Sequence, residues 1–112
     1  MRLTVNDVHG QPYEIDTVVD TGFDGWLTLP PHFIATLGLT WKRFGHAILA
    51  DGSHILTNVY EATVQWDGQQ IPLAVDEADA VPLVGMSLMY GYELLIPILD
   101  GSTFTLRRIT TL

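Results

Sequence analysis

Asp20-Thr21-Gly22 is the segment of this chain whose residue types and order carry chemistry. The apolar run Thr17-Val18-Val19 delivers a carboxylate to its end, and a hydroxyl and a glycine follow. Phe23-Asp24-Gly25 then turns the chain into a second apolar run, Trp26-Leu27-Thr28-Leu29. A carboxylate at the head of a buried strand is costly unless hydrogen-bonded. The Gly22 N–H and neighbouring turn amides are the available donors, and glycine permits the close approach this needs. The competing reading is an Asp that merely caps a turn, and the tripeptide by itself favours it. Other chemistries fare worse. Glycosidase chemistry finds no second Asp or Glu placed at an apolar strand end as Asp20 is. His9, His32, His46 and His54 lack the spacing of a metal pair on a helix. On a two-residue Asp51-Gly52 turn, His46 faces Thr57, so turn and surface roles are expected, with no metal and no cofactor. Trp26, Trp41 and Trp66 read as core or interface aromatics.

The elements that must position Asp20 are mostly strands. Leu3-Thr4-Val5 and Tyr13 to Val19 form a pair joined through His9-Gly10. Asp67-Gly68 joins Thr57–Trp66 to Gln69–Val75, and Asp100-Gly101 joins Glu93–Leu99 to Thr103–Ile109. Asp51-Gly52 separates Phe44–Ala50 from His54–Tyr60, predicting a long hairpin with an exposed tip. Pro97 inside a strand pattern marks an edge or a bulge. Two short helices are expected. Pro30-Pro31 opens the first, Phe33, Ile34 and Leu37 give it an apolar face, and Gly38 stops it. The second runs from about Met86 to Tyr90, before Gly91. Val18-Val19 ahead of Asp20-Thr21-Gly22, and Leu83-Val84 ahead of Gly85, suggest two related halves, or a coincidence of short apolar segments.

Composition bounds what such a fold can serve. The chain has 112 residues, so a single domain is expected over 1–112, because chains usually divide only beyond ~200 residues. Its radius of gyration should be about 13 Å. Five Lys and Arg against 13 Asp and Glu give a net charge of −8, which argues against nucleic-acid and acidic-membrane partners. Charged residues are 16% and hydrophobic ones 47%; an ordered chain is expected, with some surface covered by a partner. The lack of Cys removes disulfides and thiolate chemistry. No apolar run reaches the ~18 residues of a membrane span, and no signal-peptide core is present, so a cytoplasmic protein is expected.

Apolar-apolar-Asp20-Thr21-Gly22, Phe23, Asp24, then Leu27-Thr28-Leu29 resembles the active-site loop of retropepsin-like aspartic proteases. Ile48-Leu49-Ala50-Asp51-Gly52-Ser53 resembles that family's flap hairpin, and Pro82 to Met89 its late apolar-apolar-Gly segment leading into a helix. The likeness extends from about Tyr13 to Ile109, and is strongest to small stand-alone prokaryotic members. It implies a mostly β acid-protease barrel or sandwich, one lobe per chain, and hydrolysis of peptide bonds in an extended peptide or unfolded protein.

Aspartic proteolysis needs two carboxylates about 3 Å apart sharing one proton. This chain has a single Asp-Thr-Gly, so a second Asp20 must come from a second chain through a two-fold interface. The resemblance thus implies an obligate homodimer. It assigns water activation to Asp20, a bond across the axis to Thr21, and backbone contacts to Gly22. Asp24 is implied to accept from substrate backbone, and Ile48, Leu49, Ala50, Asp51, Gly52 and Ser53 to close over it. Phe23, Ile55, Leu83 and Val84 are expected as pocket walls or, equally, as ordinary core. Many retroviral relatives have an Arg after the late Gly that pairs with the Asp matched by Asp24; here Met86 stands there. Arg2, Arg107 or Arg108 substitutes, or Asp24 is solvated. The rival is a dimeric peptide-binding module that kept the fold without cutting.

Overall fold

The computed structural model describes residues 1–110. β1 (Arg2–Asn6) and β2 (Pro12–Asp16) pair antiparallel across the His9-Gly10 turn, with Leu3 opposite Ile15. The sequence predicts that the second strand continues to Val19, but it breaks at Thr17. There the Thr17 N–H and hydroxyl both donate to the Met1 carbonyl, at 2.7 and 2.6 Å. β3 (Val18–Val19) then pairs elsewhere, parallel to β8 (Leu83–Val84).

β6 (His54–Trp66) and β7 (Gln69–Glu77) close on Asp67-Gly68, with φ of 51° and 78°, the left-handed pair of a tight hairpin turn. β4 (Leu27–Leu29) lies parallel to β7 and antiparallel to β8. The sheet order is therefore β2-β1-β6-β7-β4-β8-β3. α1 (Pro31–Leu37) opens on proline, buries Ile34 and Leu37, and ends at Gly38 with φ of 64°. α2 (Met86–Met89) buries Leu88 and Met89. These join Leu3, Val5, Ile15, Leu27, Leu29, Val64, Leu73, Val75 and Val84 in one core. Truncating any of its fully enclosed Leu residues to Ala removes about 2–5 kcal/mol of stability.

Two hairpins leave this core. β5 (Thr40–Ile48) pairs with β6 out to Ile48–His54, whereas β7 pairs with β6 only from Val59 onward. The segment from Phe44 to Asn58 is thus a two-stranded arm. Its register differs by one residue from the tight-turn expectation. Leu49–Ser53 forms a wider loop, closed by Leu49 N–H to Ser53 carbonyl at 2.8 Å and Gly52 N–H to Leu49 carbonyl at 2.9 Å. The second hairpin is β9 (Tyr92–Leu95) with β10 (Thr105–Arg108). Its ladder stops at Leu95 and Thr105, short of the predicted strands, because Pro97 has no N–H to donate. The radius of gyration, 14.8 Å, exceeds that expected of a sphere-like chain of this length because both hairpins project. Among the described residues, no helix is long and apolar enough to cross a membrane.

Candidate active site

β8 lies between β3 and β4, which are consecutive in sequence but do not pair with each other. The loop from Asp20 to Trp26 must therefore arch over the end of β8, at Gly85. The two apolar-Gly segments noticed in the sequence are side by side, Val18 against Leu83 and Val19 against Val84. The arch is fastened by backbone. Asp20 N–H donates to Val84 carbonyl at 3.0 Å, and Gly85 N–H to Trp26 carbonyl at 3.0 Å. Met86 and Ser87, at the start of α2, donate their N–H groups to the Phe23 and Gly25 carbonyls at 2.8 and 3.1 Å. These are amides that a helix start leaves without an internal partner, so the loop and α2 satisfy each other. Ser87 Oγ adds a bond to the Asp24 carbonyl at 2.5 Å. A Cβ at Gly85 would collide with the Gly25 carbonyl oxygen and lie 2.6 Å from the Phe23 ring. Glycine is needed there for close approach.

Within this frame the Gly22 N–H donates to Asp20 Oδ1 at 2.8 Å, the bond expected from the residue order. Asp20 is half-buried, and Thr21, Gly22 and Asp24 are exposed. The half-buried Phe23 ring packs on Gly25 and Gly85. Leu83 is half-buried, and its N–H donates to Thr28 Oγ1 at 3.0 Å. Val84 is 0% exposed and belongs to the core. Of the two readings expected for Val84, pocket wall or ordinary core, its burial matches the core: strand alternation turns it inward while Leu83 turns outward. No arginine replaces the missing partner of Asp24 among the described residues. Arg2 pairs with Asp16 and Glu14, Arg107 with Glu93, and Arg108 with Asp67.

On the arm, Ile48, Leu49, Ala50, Asp51, Gly52, Ser53 and Ile55 are all exposed. Asp51 Oδ1 accepts the Ser53 hydroxyl at 2.6 Å and its N–H at 2.9 Å, which holds the Asp51 carboxyl below its ordinary range. The expectation that His46 faces Thr57 is corrected. The wider loop places Gly45 opposite Thr57, and His46 stacks on His54, with ring nitrogens 2.8 Å apart. Among the described residues, no group of three or more metal-ligating side chains converges. Trp66 packs on the core, whereas Trp26 and Trp41 are exposed.

Sequence reasoning missed one carboxylate. Asp76 follows the apolar run Pro72-Leu73-Ala74-Val75 toward the end of β7, a pattern that could have flagged it beside Asp20. Burial pushes its carboxyl above the ordinary range, with Arg43 opposing weakly. A raised folded-state value means the native state holds the proton more tightly than the unfolded chain. The ionised form therefore destabilises the fold above that raised value, and the penalty disappears as pH falls below the unfolded value. Asp76→Asn is accordingly expected to raise Tm at pH 7 and to leave it nearly unchanged near pH 3. An equal shift at both pH values, read by thermal melting, would contradict the desolvation account.

No protein-family model matches the chain, and no curated protein matches it by sequence. Among solved structures it is similar to the EIAV protease, a retroviral protease, in complex with the inhibitor HBY-793. The TM-score is 0.56 at 21% identity, over 80% of this chain and 82% of that one. The fold is mostly β and retropepsin-like, as the residue resemblance implied.

Proposed function

We propose that this chain is a single-domain aspartic endopeptidase, of the kind found in small stand-alone prokaryotic relatives, working in the cytoplasm as a homodimer. One active site lies on the two-fold axis, and each chain supplies one Asp20. The observation that carries this reading is the Asp20 loop. Its backbone is fastened to β8 and α2, its carboxylate is anchored by Gly22, and yet Thr21 and Gly22 are uncovered. A loop so rigidly held at a solvent-facing site is fitted to face a twin.

In the dimer the paired Asp20 carboxylates share a proton. One takes a proton from water as it attacks the scissile carbonyl, and the other protonates the departing amine. Thr21 bonds across the axis, and Gly22 and Asp24 meet the substrate backbone. The arm closes as a flap through Ile48, Leu49, Ala50, Asp51, Gly52 and Ser53, with Phe23, Ile55 and Leu83 as apolar walls. The second hairpin supplies a dimer surface. Ile98 and Leu99 are 88% and 75% exposed. Thr21, Leu94, Ile96 and Phe104 line one cavity of about 420 Å³, so this hairpin adjoins the catalytic loop. Contiguous exposed apolar surface of this sort marks an association site.

A statine-type inhibitor, which mimics the tetrahedral intermediate, tests the reading by titration calorimetry. One molecule is expected per two chains. One per chain, or no binding at any pH from 4 to 8, would favour a peptide-binding module that does not cut.

A further inference from the structure

Asp76 occupies a place that the catalytic roles above leave unexplained. In β7, Leu73 and Val75 are buried toward the core, and Asp76 lies on the opposite face. Cross-strand register puts it in one row with Leu83 of β8, Thr28 of β4, Val59 of β6 and Arg43 of β5. Val59 is fully buried yet stands apart from the main core cluster, so something else covers this face. Two glycines do so. A Cβ on Gly25, in the catalytic loop, would lie 3.2 Å from Asp76 Oδ2. One on Gly45, at the base of the arm, would lie 3.9 Å from Asp76 Oδ1. The carboxylate therefore sits at the junction of the catalytic loop and the β5–β6 arm.

Among the described residues, Asp76 takes part in no side-chain hydrogen bond and in no ion pair. Arg43 is its nearest cationic influence, acting through space. A half-buried carboxylate without a partner destabilises the protein that holds it. Groups of this kind concentrate where a ligand supplies the missing partner. A cationic group brought in beside the loop that holds Asp20 would supply that partner.

Resting on the protease reading, we infer that Asp76 is the specificity-determining carboxylate of a substrate subsite between the catalytic loop and the arm. It selects a lysine or arginine side chain near the bond to be cut. The row around it gives the subsite its shape: half-buried Leu83 contacts the aliphatic stem, and Asp76 meets the charged head.

The test uses octapeptides of one parent sequence with Lys, Leu or Glu placed at each position in turn. At one position the wild-type dimer is expected to show kcat/KM for Lys at least about tenfold above that for Leu. In Asp76→Asn that Lys-to-Leu ratio falls to near one, and in Asp76→Lys the same position prefers Glu. An unchanged ratio in both variants, each melting cooperatively, overturns the inference. If the wild type cuts none of the peptides, the protease reading has failed separately. Fluorescence anisotropy of the same peptides on Asp20→Asn and on Asp20→Asn/Asp76→Asn then decides the subsite. A Lys preference lost with Asp76 sustains it, and no preference at any position overturns it.

Discussion

Asp20→Asn is expected to abolish cleavage of an unstructured protein such as casein, lowering kcat by about 10⁴-fold or more. The size follows from what the substitution removes. An asparagine Oδ1 can still accept the Gly22 N–H, so the bond of 2.8 Å and the loop it steadies survive. The remaining fasteners, from Val84, Trp26, Phe23 and Gly25, are backbone bonds that no change at residue 20 touches. What disappears is the proton traffic, since an amide neither accepts a proton from water at useful pH nor returns one to a leaving amine. In the proposed symmetric dimer one substitution would remove both carboxylates together. Sedimentation should therefore find the same dimer with no activity. Cleavage persisting at the wild-type rate would remove Asp20 from the mechanism.

The second large effect is expected from the β9–β10 hairpin. If the proposed dimer forms through this surface, Ile98→Asp with Leu99→Asp should leave a monomer at micromolar concentration and lower the proposed activity by more than about 100-fold. Each carboxylate would have to be buried unpaired against the twin chain, and each such burial costs several kcal/mol. The isolated fold should be indifferent, because both side chains face solvent and lie outside the core. A monomer with an unchanged melting profile is thus the outcome that separates lost association from lost folding. Activity recovering at high protein concentration would strengthen the case, since mass action restores a weakened dimer. A variant that stays dimeric and active would move the interface elsewhere.

The sequence legibility of this molecule follows the range of the interactions. Gly38, Asp67-Gly68 and Pro30-Pro31 act within a few residues, so their turn and caps could be placed before any fold was known. The Asp20 to Gly22 bond is equally local, and it formed as residue order dictated. Errors arose where distant segments compete. Thr17 is drawn to Met1, which breaks an apparently continuous strand. The arm loop took a wider form than Asp51-Gly52 suggested, shifting the register by one residue and bringing His46 to His54. Val84 and Leu83 are alike as letters, and only the threading of β8 between β3 and β4 decides which one is enclosed.

The linear chain, then, determined the chemical groups on offer: one carboxylate, its neighbouring hydroxyl and glycine, and a net charge of −8. The tertiary structure alone decided what surrounds that carboxylate. Strand pairing is a long-range choice, in which each ladder depends on all the others being in register. It set α2 beneath the Asp20 loop, left the second hairpin's apolar residues in solvent, and brought Asp76 against Gly25. The apolar run ahead of Asp76 was readable in advance, but its burial was not, because Gly25, which packs against it, lies 51 positions away in sequence (76 − 25). No local pattern encodes a contact of that span.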